Sequence, residues 1–208
     1  MYNARVPRTP DAAVRDELIE RAAELFIARE PVTLRRVAAA AGTSTMAVYT
    51  HFGGMGGLLG AVRQEGFTRL ARRLKELAHT DDSVADLTAV GRSYVANALD
   101  NPNLYLMMFD NRQALDDPDA AAAGFEVLIS SARRARADRR FARSCDPQAA
   151  ATQLWAMTHG MVMLVLTGAL PPDSLPAHLP AMWATAYVGF GDRPQLARRS
   201  AATAFPSS

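Results

Sequence analysis

The sequence has a single cysteine, Cys145, few aromatic residues (7%) and no alternating runs of Val, Ile and Thr. One cysteine excludes an internal disulfide framework and is typical of a reducing compartment. The missing alternation argues against a β-sandwich or barrel, and the abundance of Ala, Leu and Arg favours helices. No arginine-led apolar stretch with a cleavage site begins the chain, so we expect no secretion signal and a cytoplasmic location. The sequence therefore predicts a soluble all-α protein.

Residues 147–172 carry no formal charge, but polar residues interrupt them. A membrane span needs about 20 predominantly apolar residues, whereas the strongly apolar run here covers only residues 161–166. We therefore expect a helix that is buried inside a bundle or a dimer interface, and no membrane.

Charge is unevenly distributed, although the net charge is only +2. Residues 1–80 contain 12 Lys and Arg against 8 Asp and Glu, whereas residues 81–208 contain 11 against 13. A basic N-terminal third favours a DNA-facing domain. The densest basic run lies at the end of a predicted helix, where cations interact favourably with the helix dipole and can remain in solvent. We therefore interpret it as a solvated face. Its members are Arg133, Arg134, Arg136, Arg139, Arg140 and Arg143.

Start and stop signals predict about nine helices. Thr9-Pro10 begins the first, Thr33 caps a second that ends before Gly42, and Ser44 or Thr45 begins a third that ends near Phe52. The glycine-rich run 53–57 predicts a loop. The remaining helices are expected near residues 57–79, 82–100, 102–110, 118–142, 146–169 and 175–190.

Residues 33–52 contain two short helices joined at a glycine. A helix-turn-helix needs a small residue where its helices touch, a glycine in the turn and an apolar anchor on the second helix. Ala38, Gly42 and Val48 fill these roles. The third helix then exposes short polar groups and one phenol to a major groove about 12 Å wide, or, alternatively, only to solvent. The exposed residues are Thr43, Ser44, Thr45, Met46, Tyr49 and Thr50.

The segment VTLRRVAAAAGTSTMAVYTHFGGMGGLLGAV closely resembles the DNA-binding domain of TetR-family regulators. That domain has a Leu-x-x-Val-Ala helix, an Ala-Gly turn and a recognition helix ending in Tyr-x-His-Phe. The resemblance implies base or groove contacts from Arg35, Thr45, Met46, Tyr49 and Thr50. It also implies phosphate contacts from Thr33, Tyr49 and His51, with helix-start amides helping.

One position departs from the family pattern. Where the family usually has a lysine after the Phe-x-x step, this sequence has Met55, so one phosphate contact is missing. Arg5 and Arg8, on the N-terminal arm, are expected to reach an adjacent phosphate or the minor groove instead. His51 has a structural alternative, in which it bonds a carbonyl of its own helix. No second ligand lies at metal-binding spacing, so neither a metal nor a cofactor is expected.

A second, looser resemblance lies in Trp155-Ala-Met-Thr-His159-Gly160, which is similar to the C-terminal domain type of TetR regulators named for its Trp…His-Gly (WHG) motif. Residues 101–109 also resemble that class. The resemblance implies a homodimer in which the helices near 146–169 and 175–190 pair with their symmetry mates. In that four-helix interface, Gly160 and Gly168 would permit close backbone approach, and Trp155 and Trp183 would bury large area.

The residues before this interface are expected to enclose a pocket for a small apolar or amphipathic effector. For each of these residues, the alternative to effector contact is ordinary core packing. For His159, the alternative is a structural hydrogen bond at the dimer interface. An effector that favours one tilt of the fourth helix would change the separation of the two recognition helices. The expected lining residues are Tyr94, Tyr105, Met107, Met108, Phe125, Trp155, Met157, His159 and Met161.

The predicted organisation has four segments: a flexible basic arm (1–10), a helix-turn-helix DNA-binding domain (11–58), a helical effector-binding and dimerisation domain (59–192) and a flexible tail (193–208). The predicted function is a homodimeric repressor that binds a palindromic double-stranded operator and is released by a small molecule. An activator, a ligand-enhanced DNA binder and a helical interaction module without DNA binding remain alternatives. No catalytic residues are expected, because the chain lacks a nucleophile elbow, a phosphate-binding loop and paired carboxylates in a recognisable frame.

Overall fold

The computed structural model describes residues 10–28, 32–109, 115 and 117–205. Within these residues the chain forms ten α-helices and no strand, which confirms the predicted all-α class. The helices are α1 (Pro10–Ile27), α2 (Leu34–Ala40), α3 (Thr45–Phe52), α4 (Met55–Lys75), α5 (Ser83–Asp100), α6 (Pro102–Met108), α7 (Pro118–Ala137), α8 (Pro147–Leu166), α9 (Ser174–Gly189) and α10 (Pro194–Ala202). The predicted basic arm, with Arg5 and Arg8, lies outside the described residues except for Pro10, which begins α1.

The chain divides into two compact units. The first unit comprises residues 1–68 and 103–118, and the second comprises residues 69–102 and 119–208. The boundary therefore falls between Thr68 and Arg69 of α4, ten residues after the predicted boundary at residue 59. Helix α6 belongs to the first unit because Leu104 and Met107 are buried in the same apolar cluster as α1, α2 and α3.

The core of the first unit positions the two short helices. Leu18 and Ile19 of α1 pack with Val37 of α2, Val48 of α3 and Leu58 of α4, and all five are fully buried. Burial of one aliphatic side chain stabilises a fold by about 1.5–3 kcal/mol. Helices of seven and eight residues are marginal in water alone, so this packing is what holds α2 and α3.

The connection between α3 and α4 is shorter than the predicted loop over residues 53–57. Gly53 adopts φ 69° and caps α3, Gly54 adopts φ 134°, and α4 begins at Met55. Gly57 lies so close to α3 that a Cβ atom there would overlap the Phe52 carbonyl oxygen. The glycines therefore permit a two-residue turn and a close helix approach, and only two of the five residues of the run, Gly53 and Gly54, form the loop.

The core of the second unit contains two large aromatic residues of α9. Trp183 and Tyr187 are both fully buried. Trp183 Nε1 donates a hydrogen bond to Thr158 Oγ1 (2.9 Å), and the Tyr187 hydroxyl pairs with Thr88 Oγ1 (3.0 Å). Burial raises the pKa of Tyr187 well above its ordinary value. The expectation that Trp183 supplies area to a dimer interface is wrong, because its side chain is enclosed within its own chain.

Helix α10 lies in the segment that was expected to be a flexible tail. Its residues Ala197, Ser200 and Ala201 are buried, and beyond it Phe205 stacks on Trp183 with a centroid distance of 6.4 Å and an interplanar angle of 10°. The expectation of a flexible tail is therefore wrong for residues 194–202. Short side chains let α10 pack closely on α5 and α9, a contact that its sparse apolar pattern does not reveal.

Helix α8 is long and apolar enough, by length and composition alone, to cross a membrane. It packs against α5 and α9, and eight of its residues, among them Leu154 and Val162, are buried. These contacts agree with the expected helix of a bundle.

Candidate DNA-binding interface and effector cluster

Helices α2 and α3 form the predicted helix-turn-helix. Thr33 Oγ1 accepts a hydrogen bond from the Arg36 amide, and Ser44 Oγ accepts one from the Ala47 amide, both at 3.3 Å. The turn between the helices places Gly42 at φ 63°, in the left-handed region, where a residue with a Cβ is strained. Each helix thus begins with a hydroxyl cap, which satisfies one of its orphan amides.

One face of α3 is exposed and carries most of the predicted DNA-contact residues. Met46 is 68% exposed and Tyr49 is 52% exposed, the two highest values among the large hydrophobic residues that the structure describes. Val48, on the opposite face, is fully buried. Among the other predicted contacts, the structure exposes Thr33, Arg35, Ser44, Thr45 and Thr50 and half-buries Thr43.

His51 differs from the other predicted contacts because its side chain is only 12% exposed. Its Nε2 lies 3.3 Å from Asp11 Oδ1, at the start of α1, and its ring contacts Phe52 at a centroid distance of 5.9 Å. The Arg15 guanidinium lies over the Phe52 ring, 5.5 Å from its centre. Sequence reasoning missed Asp11, because the two residues are 40 positions apart and no local pattern connects them.

Met55, at the position of the family's lysine, is half-buried and packs against the core of the first unit. Its side chain stabilises the start of α4, so this position serves the core and supplies no charge to a phosphate.

Four of the predicted effector residues form one cluster in the second unit, the aromatic–histidine cluster of Tyr94, Phe125, Trp155 and His159. Trp155 Nε1 donates to the Tyr94 hydroxyl (3.2 Å), and that hydroxyl lies 3.1 Å from His159 Nδ1. The Phe125 and Trp155 rings are 5.6 Å apart, and those of Trp155 and His159 are 6.1 Å apart. Because Tyr94 accepts from Trp155, its proton is available to a neutral His159.

Burial lowers the pKa of His159 below its ordinary value, which favours the neutral imidazole at neutral pH. A neutral imidazole carries one N–H donor and one acceptor. The cluster therefore combines aromatic surface with a small set of hydrogen-bonding groups, which is the composition of many small-molecule sites.

The other predicted effector residues lie elsewhere. Tyr105 and Met108 belong to the first unit and are fully buried. Tyr105 packs edge-on against Phe109 (5.3 Å), and Met108 packs so closely on Gly66 that a Cβ atom there would overlap its side chain. Met107 is buried in the helix-turn-helix core. In the second unit, Met161 is buried and Met157 is half-buried.

A cavity of about 400 Å³ lies between the end of α4 and α5 and contains none of the predicted effector residues. It is lined by Arg73, Glu76, Leu77, Arg92, Ser93 and Ala96.

Helices α8 and α9 share an exposed face without Asp, Glu, Lys or Arg, which we call the α8–α9 face. A Cβ built on Gly160 would meet no atom within 4 Å, so this part of α8 is open to a partner. Gly168 adopts φ 78° just past the end of α8, where it ends the helix, and a Cβ atom there would likewise meet no atom within 4 Å. The exposed members are Ala149, Gln153, Ala156 and Leu164 on α8, and Ala177, Ala181, Thr185 and Val188 on α9.

The arginine run is not a uniformly solvated face. Arg140 forms a bidentate pair with Asp192 (2.9 and 2.8 Å) and reaches Asp82 Oδ1 (2.6 Å) and Ser200 Oγ (3.0 Å). Arg134 pairs with the buried Asp86 and donates to the Thr80 carbonyl (2.7 Å).

Other members of the run differ in exposure. Arg136 donates to the Cys145 carbonyl (3.2 Å). The solvated interpretation is therefore wrong for Arg134, Arg136 and Arg140, and it describes the exposed Arg133, Arg139 and Arg143. Within the described residues, no group of three or more His, Cys, Asp or Glu could hold a metal ion.

Two family profiles match the chain. Residues 18–62 match the profile described as bacterial regulatory proteins, tetR family. Residues 87–187 match the tetracyclin repressor-like C-terminal domain, and the Trp155…His159-Gly160 segment falls inside this match. No curated protein sequence matches the chain significantly.

Solved structures share the fold over most of the chain. A protein of unknown function from Rhodococcus sp. RHA1 has a TM-score of 0.73 at 23% identity, with coverage of 92% of this chain and 100% of that one. The TetR-family protein CprB from S. coelicolor A3(2) has a TM-score of 0.70 at 23% identity, with coverage of 93% and 99%. The TetR-family transcriptional regulator PfmR from Thermus thermophilus has a TM-score of 0.65 at 18% identity, with coverage of 98% of both chains.

Proposed function

This chain belongs to the TetR family of DNA-binding transcriptional regulators, and from that membership we propose that it is a homodimeric repressor in the cytoplasm, released from a palindromic operator by a small molecule. The observation that carries the proposal is the exposed face of α3, where Met46 and Tyr49 project from a helix that is capped by Ser44 and anchored by Val48. An exposed apolar pair on a small rigid element is typical of an interaction surface.

The contacts with DNA divide between two helices. Thr45, Met46, Tyr49 and Thr50 enter the major groove from α3, and Arg35 of α2 contacts a base edge or the groove. Further contacts come from the start of the recognition helix, at Thr43 and Ser44. Thr33 and Tyr49 contact phosphates, which set the register of the protein on the duplex.

His51 contacts a phosphate only if it exchanges its present partner. The Asp11 carboxylate lies 3.3 Å from its Nε2, and a phosphate oxygen would replace that carboxylate as the negatively charged partner. The Asp11 side chain is 84% exposed, and a pair with such a solvated partner contributes less than about 1 kcal/mol, so the exchange is compatible with tight DNA binding.

Dimerisation through the α8–α9 face follows from its composition. Two adjacent helices of 20 and 16 residues expose Ala, Thr, Gly, Leu and Val without a charged side chain. Dimer interfaces are depleted of charge at their centre, and small residues allow helices to approach closely. Two copies related by a two-fold axis would form a four-helix interface and present two recognition helices to the two half-sites.

The effector site is the aromatic–histidine cluster. A ligand with a flat apolar part and a hydrogen-bonding group fits the exposed Trp155 ring and the Tyr94–His159 pair. Helix α4 is continuous from the first unit into the second, so a ligand that favours one arrangement of α4 would shift the DNA-bound population by its differential affinity.

The test is selection of bound sequences from a random duplex pool by the full-length protein at about 150 mM salt. We expect a palindromic site whose affinity falls about tenfold or more in Tyr49→Ala and in Arg35→Ala. Arg198→Ala, which removes an exposed arginine from α10, is the matched control and should leave affinity unchanged. If no sequence is enriched, the DNA-binding proposal is wrong.

The direction of regulation is tested separately. Deletion of the gene should raise expression of a reporter placed behind the selected site. A fall in expression would instead identify an activator.

A further inference from the structure

We propose that α3 recognises its operator mainly through the C5-methyl groups of thymines, and that Met46 and Thr50 are the residues that contact them. This inference rests on the proposed DNA binding and goes further, because it states which groups of the bases are recognised.

The recognition helix and its cap lack the side chains that read bases by strong hydrogen bonds. Residues 43–50, Thr-Ser-Thr-Met-Ala-Val-Tyr-Thr, contain no Arg, Lys, Asn, Gln, Asp or Glu. Recognition of guanine by a bidentate hydrogen bond needs Arg or Lys, recognition of adenine needs Asn or Gln, and cytosine is recognised by a carboxylate. Strong polar recognition of these three bases is therefore unavailable to this surface.

Two of the hydroxyl groups on the same surface already have helical partners. Ser44 Oγ accepts the Ala47 amide (3.3 Å) as the cap of α3. Thr50 Oγ1 donates to the Met46 carbonyl at 3.0 Å. Because the Thr50 hydroxyl is turned toward the helix backbone, its methyl group is the part of this exposed side chain that a base can touch.

The apolar groups of the surface lie side by side. Met46 and Tyr49 are three residues apart and are therefore neighbours on one helix face. They are 68% and 52% exposed, and Thr50, four residues after Met46, is the neighbour of Met46 on the next helical turn. The thymine methyl is the apolar group that a base pair presents in the major groove. Contact between these surfaces removes apolar area from water on both sides, without the desolvation of a charged group.

Met46 and Thr50 contact different thymines. Met46, with a long thioether that adapts to its contacts, packs on one thymine methyl, and the Thr50 methyl packs on another. The Tyr49 ring packs on the neighbouring base-pair step. Arg35 on α2 is left to supply charge, so it strengthens binding without distinguishing a thymine from the same base without its methyl group.

The experiment replaces single thymines of the selected operator with 2′-deoxyuridine, which lacks only the C5-methyl group. Affinities of the full-length protein are measured for each pair of operators. At the thymines contacted by α3, we expect each replacement to weaken binding about fourfold, the effect of burying one methyl-sized group. The other thymines of the same half-site are internal controls and should show no change.

Three variants locate the effect. Met46→Ala should lose the preference for thymine over uracil at one position, and Thr50→Ser, which removes only a methyl group, should lose it at another. Arg35→Ala should weaken both operators equally and leave the preference intact. All three residues are exposed, so the thermal unfolding midpoint should not change and serves as the check on folding.

The outcomes separate this inference from the proposed function. If the protein selects an operator but binds it equally well with thymine or uracil at every position, methyl recognition is wrong and DNA binding stands. A preference that persists in Met46→Ala and Thr50→Ser would overturn the residue assignment. If no operator is selected at all, both proposals fail.

Discussion

The first unit exposes its apolar groups at the ends of two long side chains, Met46 and Tyr49, on a helix of eight residues surrounded by hydroxyls. The second unit exposes small side chains along two adjacent helices, with Leu164 and Val188 as the larger members. Projecting side chains reach into a groove, whereas a shallow face of small residues lets two helix backbones approach each other. The same property, exposed apolar surface without charge, thus suits different partners according to side-chain length.

The units also differ in how their helices are capped. In the first unit, Thr33 and Ser44 cap α2 and α3 with neutral hydroxyls. In the second unit, the carboxylates of Asp82 and Asp146 cap α5 and α8. A carboxylate stabilises a helix start more strongly through the dipole, but it would repel a DNA phosphate. Neutral caps are therefore compatible with a DNA-facing surface, and carboxylate caps occur in the unit that is not assigned to DNA.

The largest expected effect comes from a charge on the α8–α9 face. Leu164→Glu would place one carboxylate from each copy in the proposed dimer interface, so we expect a monomer in analytical ultracentrifugation. Operator affinity should fall by about a hundredfold or more, because paired binding is lost. Gln195→Glu makes an equal change of charge at an exposed position of α10. It should keep the oligomeric state and the operator affinity of the wild type. A dimeric Leu164→Glu protein would show that this face is not the interface.

The second effect is the loss of the Arg140 contacts, and it concerns the second unit alone. Arg140→Ala leaves Asp192, whose side chain is 1% exposed, without its bidentate partner. Removal of one partner of a buried ion pair costs about 3 kcal/mol or more, and urea unfolding should show a loss of that size. Arg140→Lys keeps the charge but not the bidentate guanidinium. Its unfolding free energy should lie between those of Arg140→Ala and the wild type. An unfolding free energy within about 0.5 kcal/mol of wild type in Arg140→Ala would contradict the role of this network.

The third effect is a difference in acid sensitivity between the units. Burial raises the pKa of Asp86, but hydrogen bonds from the Thr80 amide and hydroxyl and from Arg134 outweigh it, so the pKa lies below its ordinary value. A carboxyl group with a lowered folded-state pKa stabilises the fold above its unfolded pKa of about 3.9, and this stability is lost as the pH falls through the folded value.

We therefore expect the unfolding free energy of the wild type to fall below about pH 4 and to fall less steeply in Asp86→Asn. Amide hydrogen exchange should locate the loss in α5 and not in α3, whose cap does not titrate. Asp173→Asn controls for removal of an exposed carboxylate from the same unit. Equal acid slopes in wild type and Asp86→Asn would refute this assignment.

The smallest effect tests the His51–Asp11 pair. Asp11→Asn removes a carboxylate that competes with phosphate for His51, so operator affinity should rise about twofold, and more at low salt, because the Asp11 charge is at the surface. Asp81→Asn, in the second unit, removes the same charge elsewhere and should have no effect. Weaker binding by Asp11→Asn would mean that Asp11 holds His51 in its DNA-binding orientation.

The helix-turn-helix was predictable because its signals are local. Thr33, Gly42 and Ser44 act within a few residues of themselves, as caps and as a turn, and the spacing of Ala38 and Val48 follows from helix geometry. Tyr94, Trp155 and His159 were identified as one site by residue type, but their hydrogen bonds were not, because they join positions more than 60 residues apart.

The failures share a physical cause. Arg140 looked like one solvated arginine among six, and its partners Asp82 and Asp192 lie 58 and 52 residues away in the chain. Residues 194–202 looked like a tail, and the helix there is held by close packing of small side chains and by the bond from Ser200 to Asp82. Trp183 was expected to bury its area in a dimer interface, although Thr158 and Gly91 of its own chain enclose it.

Local signals were enough to establish the all-α class, the helix-turn-helix and the uncharged α8 and α9, because caps, turns and periodicity act over one or two helical turns. Folding in three dimensions was needed to show which arginines are buried, where the two units divide, that α10 exists and that His51 faces Asp11. These features depend on burial and on charges brought together across the fold, and the energy of such contacts depends on distance in space and not along the chain.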